Sequence, residues 1–313
     1  LLIIFGVTTV LDYLIGRDTV NVAPGKMPVP GWFRLLPLLC VPLQFAVLGW
    51  ATYFFVTTPL GLAGQLGWVA SVGAVSGMLA INVGHELIHK RSRLEQWAGG
   101  LLLSSVGYGT FKIEHVLGHH AWVATDHDPS SAKRGESVYG FVPRAIARNI
   151  ANGFHLQAAR LQRTGVAFWS WRNELLWWSG VTIGLGAASA VVFGVMGLLF
   201  FGAQGLVAIV HLEIVNYIEH YGLRRNFDTA GRPERVTPMH SWNSSYFLSN
   251  AYLFQLQRHS DHHAHAARPY QDLQHHTAAP QLPGGYGAML LLALVPPLWM
   301  RVMDPRIPAT MRG

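Results

Sequence analysis

From Leu35 to Gly84 the chain carries no Asp, Glu, Lys or Arg, and the same holds from Leu175 to Leu212. Stretches of that kind leave few folds open. A backbone in hydrocarbon must satisfy its own polar groups, and a helix needs about 20 apolar residues to cross a bilayer. Each stretch is long enough for two crossings joined by a turn. Thr57-Thr58-Pro59-Leu60-Gly61 breaks the first and Gly194-Val195-Met196-Gly197 the second. The pattern predicts an all-α, multi-span transmembrane helical bundle, with hairpins at 35–57 with 63–84 and at 175–193 with 197–217. Residues 1–16 read as a further crossing cut short by the start of the chain. The first residue is Leu rather than Met, so more chain is expected upstream. A large soluble helical protein would interrupt such runs with charge. A cleaved leader would not explain hydrophobic segments that recur.

Charged residues make up only 12% of the chain, against about 25% in an ordinary soluble domain. Most of the basic ones fall into three connections. Arg17, Lys26 and Arg34 occupy the first. Lys90, Arg91, Arg93, Lys133, Arg134, Arg144, Arg148, Arg160, Arg163 and Arg172 occupy the second. Arg224, Arg225, Arg232, Arg235, Arg258 and Arg268 occupy the third. The short hairpin turns carry none. With alternating crossings, all three connections lie on one side, which the positive-inside rule makes cytoplasmic. A net charge of +7 suits a face that meets anionic lipid or an acidic protein, and nothing resembles a nucleic-acid motif. The polar blocks at about 113–172 and 221–285 are expected to form a cytoplasmic helical cap. The last apolar run, 286–300, contains Pro296-Pro297 and is short; it reads as interfacial or re-entrant. The whole, 1–313, reads as one membrane-embedded domain. Its single cysteine, Cys40, offers neither a disulfide nor a thiolate cluster and reads as a small apolar core residue.

Sixteen histidines are present, and nine fall in four groups. GHELIHK gives His85 and His89. EHVLGHH gives His115, His119 and His120. NYIEHYG gives His220. LQRHSDHH gives His259, His262 and His263. Positions i and i+4 share a helix face with Cβ atoms about 5–6 Å apart. His85/His89, His115/His119 and His259/His263 have that spacing, so each pair can aim two ring nitrogens at one point. His120 and His262 stand one residue off and could serve a second, neighbouring metal. Nine imidazoles are too many for one tetrahedral zinc, whereas two metals with four or five ligands each would use them all. Imidazole suits Zn, Cu, Fe and Ni. A redox role at a membrane favours iron, but the ligand set alone leaves the others open. Glu86, Glu114, Glu219 and Asp261 accompany the groups. A metal-bound imidazole usually donates its other N–H to a carboxylate or carbonyl. Adjacent helical residues point about 100° apart, so these acids are expected to serve histidines on other helices.

Other readings fit less of the pattern. HELIH matches the zincin motif, with Glu as general base, but an intramembrane zinc metalloprotease leaves seven clustered histidines without a role. A metal transporter would place ligands along a path through the bilayer, whereas these gather at one level. His127, His155, His240, His275 and His276 read as surface residues or outer supports. His211 reads as a hydrogen-bonded interior group, and His265 as a residue beyond the third triplet.

HELIHK, EHVLGHH, NYIEHYG and LQRHSDHHAH together closely resemble the integral-membrane alkane monooxygenases, the AlkB-type alkane 1-hydroxylases. Three histidine boxes alone would mark the wider superfamily of membrane desaturases and hydroxylases. NYIEHYG with LQRHSDHHAH points to the alkane and xylene hydroxylase branch. The resemblance runs from about residue 11 to 306 and includes GES at 135–137, SWNSS at 241–245 and MDP at 303–305. It departs at Val116 and Leu117, where a more polar residue is expected. It implies a di-iron centre held by His85, His89, His115, His119, His120, His220, His259, His262 and His263. It implies six transmembrane helices, about one of them ahead of residue 1, in a bacterial inner membrane. It implies electrons from rubredoxin, separate or fused, which an NADH-dependent reductase reduces. The reaction implied is hydroxylation of the terminal methyl of medium-chain n-alkanes with O2. The alternatives within the superfamily are a xylene-type hydroxylase and a fatty-acyl desaturase. Ile81 and Met78, one and two turns deeper than His85, are candidates to line the substrate cavity, with Gly73 and Gly77 allowing close helix approach.

Overall fold

The computed structural model describes residues 1–22 and 31–312, so Lys26 lies outside the described residues. It is all-helical; among the described residues the only β-type pairings are three isolated bridges. In chain order the main helices are α1 (Leu2–Ile15), α2 (Trp32–Thr57), α3 (Leu62–Ile88), α4 (Arg93–Ser104) and α5 (111–122). There follow α6 (Val138–Arg163), α7 (Glu174–His220), α8 (Phe247–Tyr252), α9 (His259–Ala264), α10 (Tyr286–Ala293) and α11 (Pro296–Met303).

Among the described residues three helices, α2, α3 and α7, are long and apolar enough to cross a membrane. Their outward faces carry large apolar side chains: Trp50 is 59% exposed and Val191 86%. In water such exposure would be costly; in lipid it is the solvated state. The chain is therefore a membrane protein. Gly61, in extended conformation, opens α3 directly after the Thr58 cap of α2. The helix over 174–220 is interrupted at Gly194, whose φ of 70° only glycine adopts without strain. One helix thus folds as two apolar arms.

The described residues group into two compact units. The first comprises Leu1–Val29, Gly118–Arg148 and Glu213–Gly313. Three stretches far apart in the chain meet here at Tyr221. Its hydroxyl donates to Asp304 Oδ1 at 2.8 Å and accepts from Gly135 N at 2.9 Å, and the Trp242 indole donates to its carbonyl at 2.9 Å. The GES, SWNSS and MDP segments are therefore joined through Tyr221, directly after α7. Asp12, buried in apolar α1, accepts from Ser249 N at 2.9 Å near the start of α8, as a carboxylate at a helix N-terminus should.

The second unit comprises Pro30–Leu117 and Asn149–Leu212. Leu48, Ala51, Phe55, Val72, Phe200 and Phe201 form its apolar core. A side chain on Gly73 would come within 2.5 Å of Val207, so this glycine sets the approach of α3 to α7; at Gly77 the nearest atom would be 3.7 Å away, an ordinary contact. Gln44 Nε2 donates to Ser76 Oγ at 3.2 Å and to Ser105 Oγ at 3.3 Å. Such hydrogen bonds join helices where lipid supplies no hydrophobic drive.

Candidate metal centre

Four histidines of the first unit converge. His119 comes from α5, His220 ends α7, and His259 and His263 lie on α9. One ligand nitrogen from each lies within 4.8 Å of all the others, and all four residues are buried. His259 Nε2 stands 2.9 Å from His263 Nε2 and 3.3 Å from His220 Nε2. Nitrogens bound about 2.1 Å from a tetrahedral ion stand about 3.4 Å apart. The group thus already has the spacing of ligands around a metal ion, and neutral imidazole is a donor suited to one. Burial and the neighbouring rings push the His263 ring well below its ordinary value, which keeps it an uncharged donor.

Outer contacts decide which nitrogen faces inward. His119 Nδ1 lies 3.0 Å from Asp128 Oδ2, so the proton sits on Nδ1 and the Nε2 lone pair points inward. Asp128 is fixed in turn by Ser131 Oγ at 2.6 Å and Ser130 N at 3.0 Å. Burial raises the Asp128 carboxyl, but the facing His119 ring and its hydrogen bonds more than offset this, and it stands below the ordinary carboxylate value. Ser241 Oγ lies 3.4 Å from His220 Nδ1. Asp128 was not among the acids the sequence singled out. It stands nine positions from its histidine, outside any helical spacing; its only signal is a place in a polar turn, Thr125-Asp126-His127-Asp128.

A fifth group reaches the tetrad. Glu219 Oε2 stands 3.2 Å from His259 Nε2, and Glu219 Oε1 accepts from the Tyr286 hydroxyl at 2.6 Å. That histidine nitrogen is the one facing His220 and His263, so the carboxylate stands on the inner side of the ring, not behind it.

His120 and His262 form a separate pair in the same unit, with Nε2 atoms 3.2 Å apart. In the second unit His85, His89 and His115 form a triad, with ring centroids 4.5–5.1 Å apart. Phe111 stacks on His115 at 4.7 Å.

Two of the three i,i+4 pairs stay together in one group. His85 and His89 share the triad, and His259 and His263 share the tetrad. His115 and His119 part company: His115 joins the triad and His119 the tetrad. They lie at the two ends of a π-helical turn, His115–His119. A second π turn, Gly77–Asn82, precedes His85. Such turns gather at functional sites. Met78 and Ile81 both lie on it, and Ile81 is buried.

The other acids have their own partners. Asp261 anchors Arg268 Nη1 at 2.6 Å, His276 Nε2 at 2.8 Å and Gln274 N at 3.0 Å. It therefore braces α9 from outside the nine histidines instead of serving one of them. Glu86 pairs with Lys90, one turn along, and Glu114 accepts from Asn152 Nδ2 at 3.0 Å. His240 closes a loop, accepting from Thr237 N at 3.0 Å and lying 3.3 Å from Glu234. His275 Nδ1 lies 2.9 Å from Ser245 Oγ.

An apolar helical bundle with buried, converging imidazoles defines a membrane-embedded protein whose side chains could hold metal. The family model described as fatty acid desaturase matches residues 61–293. The chain is 48% identical to Alkane 1-monooxygenase 2 of Pseudomonas aeruginosa, over 99% of this chain and 84% of that protein. It is 48% identical to Alkane 1-monooxygenase 2 of Alcanivorax borkumensis, over 99% of this chain and 82% of that protein. It is 26% identical to the xylene/toluene monooxygenase hydroxylase component of Pseudomonas putida, over 96% and 79%. The chain belongs to the fatty acid desaturase family and, within it, to the alkane monooxygenases.

Proposed function

We propose that this protein is a di-iron monooxygenase that hydroxylates the terminal methyl group of medium-chain n-alkanes: RCH3 + O2 + 2e⁻ + 2H⁺ → RCH2OH + H2O. The observation that carries the reading is the buried tetrad of His119, His220, His259 and His263, whose nitrogens already stand at ligand spacing. The nine histidines would hold two iron ions, the tetrad holding one of them. Iron there supplies the activation of O2 that a strong terminal C–H bond demands. The chain's own part is to keep the rings neutral and aimed, to hold the methyl group in place and to exclude water. Asp128 and Ser241 do the aiming for His119 and His220. An alkane has no polar handle, so its selection falls to cavity shape, with Met78 and Ile81 the proposed lining.

Similarity favours the alkane over the xylene reading: 48% against 26%. The chain would lie in a bacterial inner membrane with the basic connections in the cytoplasm. Electrons would come from rubredoxin, an acidic protein, reduced by an NADH-dependent reductase. A cavity of about 250 Å³ that reaches Asp128, which holds a tetrad ligand, supports this: Asp126 and Glu136 pair with Lys133, Arg224 and Arg144, and Arg148 leaves the lining with a small positive excess for an acidic partner. The test is metal analysis together with turnover on octane, xylene and an acyl thioester, with rubredoxin, its reductase and NADH. Two irons per chain and 1-octanol as product are expected. A lone zinc, or turnover confined to xylene or the thioester, would sink the proposal.

A further inference from the structure

Trp171, Leu176, Trp177, Gly180 and Val181 line a surface groove of about 350 Å³. It runs along the first two turns of α7, where the apolar helix begins. Trp177 also lines a second cavity, of about 200 Å³, together with Arg93, Lys112 and Glu174. All these residues belong to one compact unit.

The two cavities differ in chemistry. The groove is apolar and flanked by exposed indoles: Trp171 is 74% exposed and Trp177 48%. Arg172 lies over the Trp171 ring, 5.6 Å from its centroid. In the second cavity Glu174 accepts from Lys112 Nζ at 2.6 Å and from Arg160 Nη1 at 2.8 Å. One carboxylate thus faces two cations, and exposed Arg93 adds a third. The pocket keeps a net positive charge. Indoles concentrate where membrane meets water, and basic pockets beside membrane helices hold lipid headgroups.

We infer that groove and pocket together bind one anionic phospholipid. Its phosphate sits at Arg93 and Lys112, and one acyl chain lies over Gly180 and Val181. A Cβ on Gly180 would meet nothing within 4 Å, so the space the chain needs is open. Free phosphate would satisfy the pocket alone. A zwitterionic lipid would fill the groove without using the charge. The site is independent of the reaction proposed above.

Native mass spectrometry of the full chain in detergent separates these cases, using dioleoyl phosphatidylglycerol, dioleoyl phosphatidylcholine and competing inorganic phosphate. Phosphatidylglycerol should be retained about fivefold or more over phosphatidylcholine, and Arg93→Gln should remove about fivefold of the phosphatidylglycerol affinity alone. Gly180→Leu, which fills the groove on an exposed helix face and improves helix propensity, should release both lipids. Inorganic phosphate at millimolar concentration should displace neither. Equal retention of the two lipids, retention unchanged by both substitutions, or displacement by phosphate would overturn the site. Arg93 is exposed, so its variant gives an answer even if the Gly180 variant folds poorly.

Discussion

The tetrad and the triad are built from the same side chain but are held in different ways. In the tetrad, orientation comes through polar contacts behind the rings. Asp128 holds His119, itself held by Ser131 and Ser130, and Ser241 stands against His220. In the triad, a packed aromatic contributes to orientation, since Phe111 stacks on His115 and lies 6.5 Å from His85. A directional hydrogen bond fixes both tautomer and ring angle, whereas stacking fixes a plane and leaves rotation within it cheaper. These polar contacts preorganise His119 and His220 in the tetrad, and Phe111 sets a plane for His115 in the triad.

Substitutions can break that contrast, and the largest effect should come from a ligand. His220→Ala should cost at least one metal ion per chain and abolish alkane turnover, read by metal analysis and product chromatography. Full metal content would remove the tetrad from the site. Next comes Asp128→Asn, which keeps the shape but can present an N–H to His119. Changes of this kind weaken metal binding about 10–100-fold. Chelator competition measures it, and an unchanged affinity would mean that ring orientation needs no carboxylate. Phe111→Leu acts on the triad. An aromatic pair contributes about 0.5–1.5 kcal/mol, so metal held by the triad should weaken about two- to tenfold while the tetrad keeps its own. Equal loss at both would erase the distinction.

The smallest effect concerns pH. The Asp128 carboxyl stands below its ordinary value of about 3.9. The stability it contributes is complete above that value and is lost as pH falls through the lower folded one. Thermal unfolding of the metal-free wild type and Asp128→Asn should therefore differ at neutral pH and converge in acid. A gap that widens in acid would contradict the sign.

Much of the fold is legible in particular residues. The uncharged stretch from Leu35 to Gly84 lies almost wholly within α2 and α3, and Thr58-Pro59-Leu60-Gly61 forms the turn between them. Gly194 lies at the break of α7. These features follow from composition, because a run without charge has one stable home and glycine alone takes φ near 70° freely. The histidine groups are legible for a similar reason: so many imidazoles in an apolar chain have few other uses.

Their sorting is not legible. The helix period assigns His115 and His119 to one face, yet His115 lies with His85 and His89 in one unit and His119 with His220 and His263 in the other. Glu219 and Asp261 look alike beside their histidines. Glu219 reaches His259 on another helix, while Asp261 turns to Arg268 and His276.

The sequence by itself determined that this chain lives in lipid, folds as helices and concentrates metal-binding side chains, since all three depend on residue type and short-range spacing. Only the tertiary structure decided which rings meet, which carboxylate stands behind them and where Asp128 belongs. Those contacts join positions as far apart as His119 and His263, and no local periodicity encodes where two distant segments touch.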